Sequence, residues 1–134
     1  MIQACAKIGG IEYFHKKSYD LVAANDRIMA NCFDLAIEGY KEKWFNRIVV
    51  MSSSMVYELS EKIPFTEELT DQIQPPKSSY GLTKYFGEKA VKFFNQQYGV
   101  NYTIWRPFNI VSPLESHEGE SGHVFVDFYR KIFI

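Results

Sequence analysis

Tyr80 and Lys84 stand four residues apart in Tyr80-Gly81-Leu82-Thr83-Lys84, directly after the capping-type residues Ser78 and Ser79. On a helix, positions i and i+4 lie one above the other on the same face, so phenol and ammonium project into one small volume. A cation at that range favours phenolate over phenol, and the positive end of a helix N-terminus acts in the same direction. The expectation is a tyrosine lowered towards the working range of a general base. The spacing alone recurs in many helices as plain packing, so the surrounding elements must separate the two readings.

Such a pair needs a hydroxyl partner and a sheet to stand on. Arg47-Ile48-Val49-Val50-Met51 is a β-branched apolar run ending in Ser52-Ser53-Ser54. It reads as a buried strand that delivers hydroxyls at its carboxyl end, where open parallel sheets place their ligands. Upstream, Met1 to Ala6 is small and apolar, and Lys7-Ile8-Gly9-Gly10-Ile11 turns the chain. From Tyr19 to Tyr40, Leu21, Ile28, Cys32, Leu35 and Ala36 recur at helical spacing, with Gly39 as a stop. Trp44 and Phe45 are expected over the sheet edge. The helix containing Tyr80 is expected to end near Gly99, with Leu82, Phe86, Val91, Phe93 and Phe94 as core contacts. Asn101 to Trp105 reads as the next buried strand, and strands alternating with helices predict an α/β fold with a parallel sheet.

The chain has 134 residues, 46% hydrophobic and 16% aromatic, enough for one core and too few for two comfortable domains. Fifteen basic residues face 16 acidic ones with no basic block, which disfavours nucleic acid and anionic membranes as partners. Cys5 and Cys32 lack metal-ligand spacing, so no metal is expected, and two thiols in apolar surroundings fit a reducing compartment. With no bilayer-spanning stretch and no signal-peptide pattern, the expected location is the cytoplasm.

Four motifs occur in order: the strand at 47–51, Ser52-Ser53-Ser54-Met55-Val56-Tyr57, Ser78-Ser79-Tyr80-Gly81-Leu82-Thr83-Lys84, and Trp105-Arg106-Pro107-Phe108-Asn109. Together they resemble the extended short-chain dehydrogenase/reductase family, and within it the NAD-dependent sugar-nucleotide epimerases and dehydratases. The resemblance runs from Ala4 to about Lys131. It implies a Rossmann-like, doubly wound parallel sheet, a nucleotide-sugar substrate, and NAD as cofactor, with NADP as the alternative. Catalysis would fall to Ser53, Tyr80 and Lys84, with Ser54 and Ser52 as alternatives for the hydroxyl. Ala4, Cys5, Ala6, Asn25, Pro107 and Phe108, together with Tyr80 and Lys84, would border the cofactor; Ser53, Ser54 and Asn109 would meet the substrate. For Asn31, a tie to neighbouring backbone is expected instead.

Ser54 and Met55 stand where the 4,6-dehydratases carry an Asp-Glu pair, and neither can supply that acid and base. Met55 also replaces the cysteine of the epimerase-reductases that make GDP-fucose. The resemblance therefore implies an epimerase rather than a dehydratase; a keto-sugar or small-carbonyl reductase, and a non-catalytic binding or oligomerising module, are the alternatives. The glycine-rich pyrophosphate turn of the family is absent, and Met1 falls where the family has reached its fourth strand. The first βαβ units are thus expected to be missing, with truncation at both ends. Residues 1–112 would form the C-terminal half of the dinucleotide-binding domain, and 113–134 the start of the substrate-binding region. His117 is expected in a solvated loop at 114–122, and Gly122-His123 opens a segment whose Phe125, Phe128, Tyr129, Ile132 and Phe133 make an apolar stripe. That stripe predicts a homodimer or a missing remainder of the fold.

Overall fold

The computed structural model describes residues 1–9, 11–110, 112 and 124–133. Strands β1 (Ile2–Gln3), β2 (Arg47–Met51) and β3 (Asn101–Trp105) form a parallel sheet in that order, with Gln3 opposite Val50 and Met51 opposite Trp105. Between β1 and β2 run α1 (Ile11–Lys16) and α2 (Ser18–Lys41); α3 (Ser79–Tyr98) joins β2 to β3, and α4 (Val124–Phe133) follows. Because side chains alternate along a strand, Ile48 and Val50 point to one face and are fully buried there. Met29 and Ala36 of α2, and Val91 and Phe94 of α3, cover that face, with Phe33 stacked on Phe94 at 5.3 Å. Burial of each such large side chain contributes about 1.5 to 3 kcal/mol.

Serine and glycine bound α3 as its sequence predicts. The Ser78 hydroxyl accepts from the Gly81 amide at 3.1 Å, while Gly99 closes the helix at φ 72°, a conformation that a side chain disfavours. A carboxylate from another segment reinforces the start: Glu58 accepts from the backbone of Lys77 (2.6 Å) and Ser78 (2.9 Å) and from the Ser78 hydroxyl. Anionic oxygens are stabilised at that end of a helix.

The inward face of α3 differs from the expected one. Val91 and Phe94 are buried, but Leu82, Phe86 and Phe93 are exposed, and the rest of the buried face is Gly81, Thr83, Lys84, Gly87 and Glu88. Two apolar stripes run along this helix, and the one with polar members faces the sheet because those polar groups find partners there. On α2 Leu21 and Ala36 are buried as expected, but Met29 joins them where Ile28 and Cys32 are half-buried and Leu35 is exposed. Strand β3 is half-exposed, since β2 is its one strand partner among the described residues. Phe45 is half-buried against the core, whereas Trp44 is exposed. Phe125, Phe128, Tyr129, Ile132 and Phe133 of α4 are exposed as their spacing implied. The boundary expected at 112/113, the 114–122 loop with His117, and Gly122-His123 lie outside the described residues.

The partners of the inward polar face centre on Glu88, which is 1% exposed. Its Oε1 accepts from the Ser52 hydroxyl at 2.5 Å and from Arg106 Nε at 2.8 Å; its Oε2 accepts from Arg106 Nη2 at 2.8 Å. Arg106 also donates to the Tyr57 hydroxyl (2.6 Å), the Glu67 carbonyl (2.9 Å) and the Thr70 hydroxyl (3.0 Å). Burial opposes charge on this guanidinium, but Glu88 and then Tyr57 hold its pKa above the ordinary arginine range. One carboxylate thus ties the ends of β2 and β3 to the middle of α3. Glu88→Ala leaves a buried guanidinium without its counter-charge, so a loss of about 3 to 5 kcal/mol in urea unfolding is expected; a loss under about 1 kcal/mol would show that the clamp carries little of the fold.

Candidate active site

The parallel register brings three chain segments to one edge of the sheet. Ala4-Cys5-Ala6 leaves β1, Ser52-Ser53-Ser54 leaves β2 and Arg106-Pro107-Phe108-Asn109 leaves β3, all at carboxyl ends. The Ser52 amide donates to the Trp105 carbonyl at 2.7 Å and the Ser54 amide to the Pro107 carbonyl at 3.0 Å, so the second and third segments touch. Ala4, Cys5, Phe108 and Asn109 are exposed, while Ala6 and Pro107 are half-buried. The exposed Phe108 ring stacks with Tyr57 (6.4 Å) and Phe65 (6.0 Å).

Tyr80 and Lys84 occupy the first two turns of α3 and face this edge. The Lys84 ammonium reaches the Met51 carbonyl at 2.8 Å and lies 5.6 Å from the centre of the Tyr80 ring. Ser53 starts a single 3-10 turn, Ser54–Tyr57, and its Oγ accepts from the Met55 amide at 3.2 Å. The same hydroxyl lies beside the Tyr80 phenol and favours its ionised form. The structure therefore brings Ser53, Tyr80 and Lys84 together. Of the three candidate serines, Ser53 is the one acting on the phenol, because the Ser52 hydroxyl is committed to Glu88.

The electrostatics differ from the expectation based on spacing. Burial pushes the Tyr80 phenol above its ordinary pKa, with the Ser53 hydroxyl as the opposing influence. Burial likewise pushes the Lys84 ammonium below the ordinary lysine value. Desolvation disfavours each charged form, so it outweighs the mutual attraction of ammonium and phenolate here. Lys84 is 6% exposed, and the Met51 carbonyl is its hydrogen-bond acceptor among the described residues. A buried ammonium with donors to spare fits a bound group rich in hydroxyls, such as a ribose.

Asn25 stands beside the segment expected to border the cofactor. Its Oδ1 accepts from the Lys7 amide at 2.6 Å and its Nδ2 donates to the Lys7 carbonyl at 3.0 Å, so it shapes the loop after Ala6. Asn31, for which a backbone tie was expected, is exposed. Three residues escaped the sequence reading: Phe14, Glu88 and Arg106. Glu88 continues the i, i+4 series from Tyr80 and Lys84, a signal that was there to be read. Phe14, whose ring stacks on Tyr80 at 5.2 Å and 6°, had no such signal because the two segments meet only in the fold.

Among the described residues there is no cluster of histidine, cysteine and acidic residues suited to a metal, and no helix is long and apolar enough to cross a membrane. The desolvated ammonium yields one expectation. Lys84→Met should raise stability by about 1 kcal/mol in urea at neutral pH, since it removes a buried charge while keeping the shape. A base with a depressed folded pKa contributes stability above its unfolded pKa that is lost as pH falls through the folded value. The advantage of Lys84→Met should therefore be largest at neutral pH and shrink above the ordinary lysine value; a less stable variant at neutral pH would contradict it.

Comparison with known proteins gives a consistent picture. The model of the NAD dependent epimerase/dehydratase family matches residues 1–133. The GDP-L-fucose synthase of Sinorhizobium fredii is 29% identical over 133 residues, covering 98% of this chain and 41% of that protein. UDP-glucuronate 4-epimerase 1 of Arabidopsis thaliana is 42% identical over 123 residues, 92% of this chain and 27% of that protein. In fold, the chain is similar to the UDP-glucose 4-epimerase of Thermotoga maritima solved with UDP-glucose, at a TM-score of 0.77 and 23% identity, covering 95% of this chain and 39% of that one. The chain thus spans about two fifths or less of the length of these relatives. A match along nearly its whole length, on a parallel sheet whose strand ends gather Ser53, Tyr80 and Lys84, makes the chain a member of the NAD dependent epimerase/dehydratase family.

Proposed function

We infer that this chain carries the proton-handling half of a nucleotide-sugar oxidoreductase of the epimerase type. The observation that carries the reading is the meeting of the Tyr80 phenol and the buried Lys84 ammonium of α3 with the Ser53 hydroxyl that follows β2, at the carboxyl edge of the sheet. Bound NAD would supply the hydride acceptor and, for an epimerase, return the hydride to the same substrate.

The chain's own residues would do the rest. Tyr80 takes the proton of the sugar hydroxyl whose carbon is oxidised and gives it back on reduction. Ser53, beside the phenol, holds the same oxygen in line. Lys84 directs its free donors to the ribose and, as the cation beside the ring, stabilises the phenolate once the site forms. Ala4, Cys5, Ala6, Pro107 and Phe108 border the cofactor; Ser54 and Asn109 complete the substrate side, with Asn25 shaping the loop beside them. Residues 1–112 serve the dinucleotide and 113–134 begin the substrate region.

Epimerisation is favoured over 4,6-dehydration because Ser54 and Met55 bring neither acid nor base to the site. A reductase is the second reading, supported by the similarity of 98% of this chain to 40% of a dTDP-4-dehydro-6-deoxy-D-allose reductase of Streptomyces sp, at 23% identity. Consumption of reduced cofactor in proportion to product would select the reductase; product without net consumption selects the epimerase.

The purified chain is titrated with NAD by calorimetry and assayed with UDP- and GDP-sugars. Tyr80→Phe should lower turnover by about a hundredfold or more while leaving cofactor affinity within about threefold. Turnover unchanged by Tyr80→Phe would refute the assignment, and absence of saturable NAD binding would support the non-catalytic module instead.

A further inference from the structure

Phe14 is held against Tyr80 by a series of contacts that none of the family motifs includes. The helix α1 has six residues, too short to persist without packing. On one side, the Asn25 side chain fixes the Lys7 backbone, and the Lys7 ammonium lies 5.7 Å from the centre of the Tyr13 ring. Gly9 admits that ring: a Cβ there would come within 2.6 Å of Tyr13. On the other side, the Ser18 hydroxyl at the start of α2 donates to the Phe14 carbonyl at 2.5 Å, and the Lys17 amide donates to the Tyr13 carbonyl at 2.9 Å. The backbone of Phe14 is thereby fixed from both flanks, and its ring lies 6° from parallel to Tyr80.

We propose that Phe14 is a positioning residue for Tyr80: its ring fixes the plane of the phenol and keeps water from one face, so that the hydroxyl stays turned to Ser53. The inference rests on the proton-transfer reading above and adds to it a group that acts through Tyr80. The other groups around the phenol are Ser53 after β2 and Lys84 one turn along α3, while Glu58 lies at the amino end of that helix. Of these groups, Phe14 alone stacks an aromatic ring on the phenol. Burial is the leading influence on this phenol, and an aromatic ring stacked on it is a source of that burial. Small displacements of a proton-transfer group cost rate disproportionately, which gives the stack a catalytic consequence.

The test uses the whole chain, labelled with carbon-13 at the tyrosine Cζ and followed by NMR, with Tyr80→Phe identifying the resonance. Phe14→Ala should lower the Tyr80 titration midpoint by about one pH unit, and Phe14→Tyr, which keeps the stack, should restore it. In the turnover assay, Phe14→Ala should lower kcat about tenfold with KM within about twofold. If circular dichroism shows that Phe14→Ala does not fold, Phe14→Leu takes its place with the same expected shift, since it keeps apolar volume without a ring face. A midpoint unchanged in the alanine or leucine variant overturns the proposal, as does a folded Phe14→Tyr that titrates with the alanine variant. The NMR titration needs neither cofactor nor substrate, so it decides the stack even if the nucleotide-sugar reading fails.

Discussion

The ion pair between Glu88 and Arg106 is the constraint on which the rest of the site depends. A buried carboxylate and guanidinium each bear a desolvation penalty that only close, well-directed hydrogen bonds offset. Here the guanidinium is satisfied on every side, by Glu88, Tyr57, Glu67 and Thr70, and the carboxylate also accepts from Ser52. Such a pair tolerates little movement, and its members sit beside the candidate catalytic groups: Ser52 next to Ser53, Glu88 one turn beyond Lys84, Arg106 directly before Pro107. Rigidity in the pair becomes alignment at the strand ends. The satisfied guanidinium also leaves Arg106 no free donor, so it serves as a clamp and not as a receptor for a phosphate.

Tyr80 and Lys84 show the reverse condition. Lys84 is buried and Tyr80 half-buried, both have pKa values displaced by burial against their charged forms, and neither has a full set of partners among the described residues. A site built to hold a charged or polyhydroxylic ligand is under-satisfied until that ligand arrives, and the surrounding fold must bear the cost. The clamp, the core under β2 and the double capping of α3 by Ser78 and Glu58 bear it. Stability and chemistry are thus divided between neighbouring turns of one helix: Glu88 and Val91 hold, Tyr80 and Lys84 wait.

Much of the site could be read from local pattern. Ser78 as cap, Gly99 as stop, the β-branched run of β2 and the i, i+4 pair all depend on neighbours within a few residues, where sequence spacing and spatial spacing coincide. Reading failed where two faces of one helix competed. Leu82, Phe86 and Phe93 look like core by hydropathy, yet the stripe with Thr83, Lys84 and Glu88 faces inward because Met51, Ser52 and Arg106 await it. The backbone tie falls to Asn25 and not to the exposed Asn31 for the same reason: a polar side chain goes where an unpaired backbone group lies, and Lys7 is 18 positions away in sequence.

The sequence by itself determined the fold class and the family, and it named the candidate trio with Ser52 and Ser54 as alternatives for the hydroxyl, because those rest on short-range periodicity and on ordered motifs. Tertiary structure alone decided that Ser53, not Ser52, meets the phenol, that Phe14 covers its ring, and that burial outweighs the neighbouring cation in setting its pKa. Those outcomes are set by desolvation and by contacts between segments far apart in the chain, and neither quantity is defined until the backbone has closed.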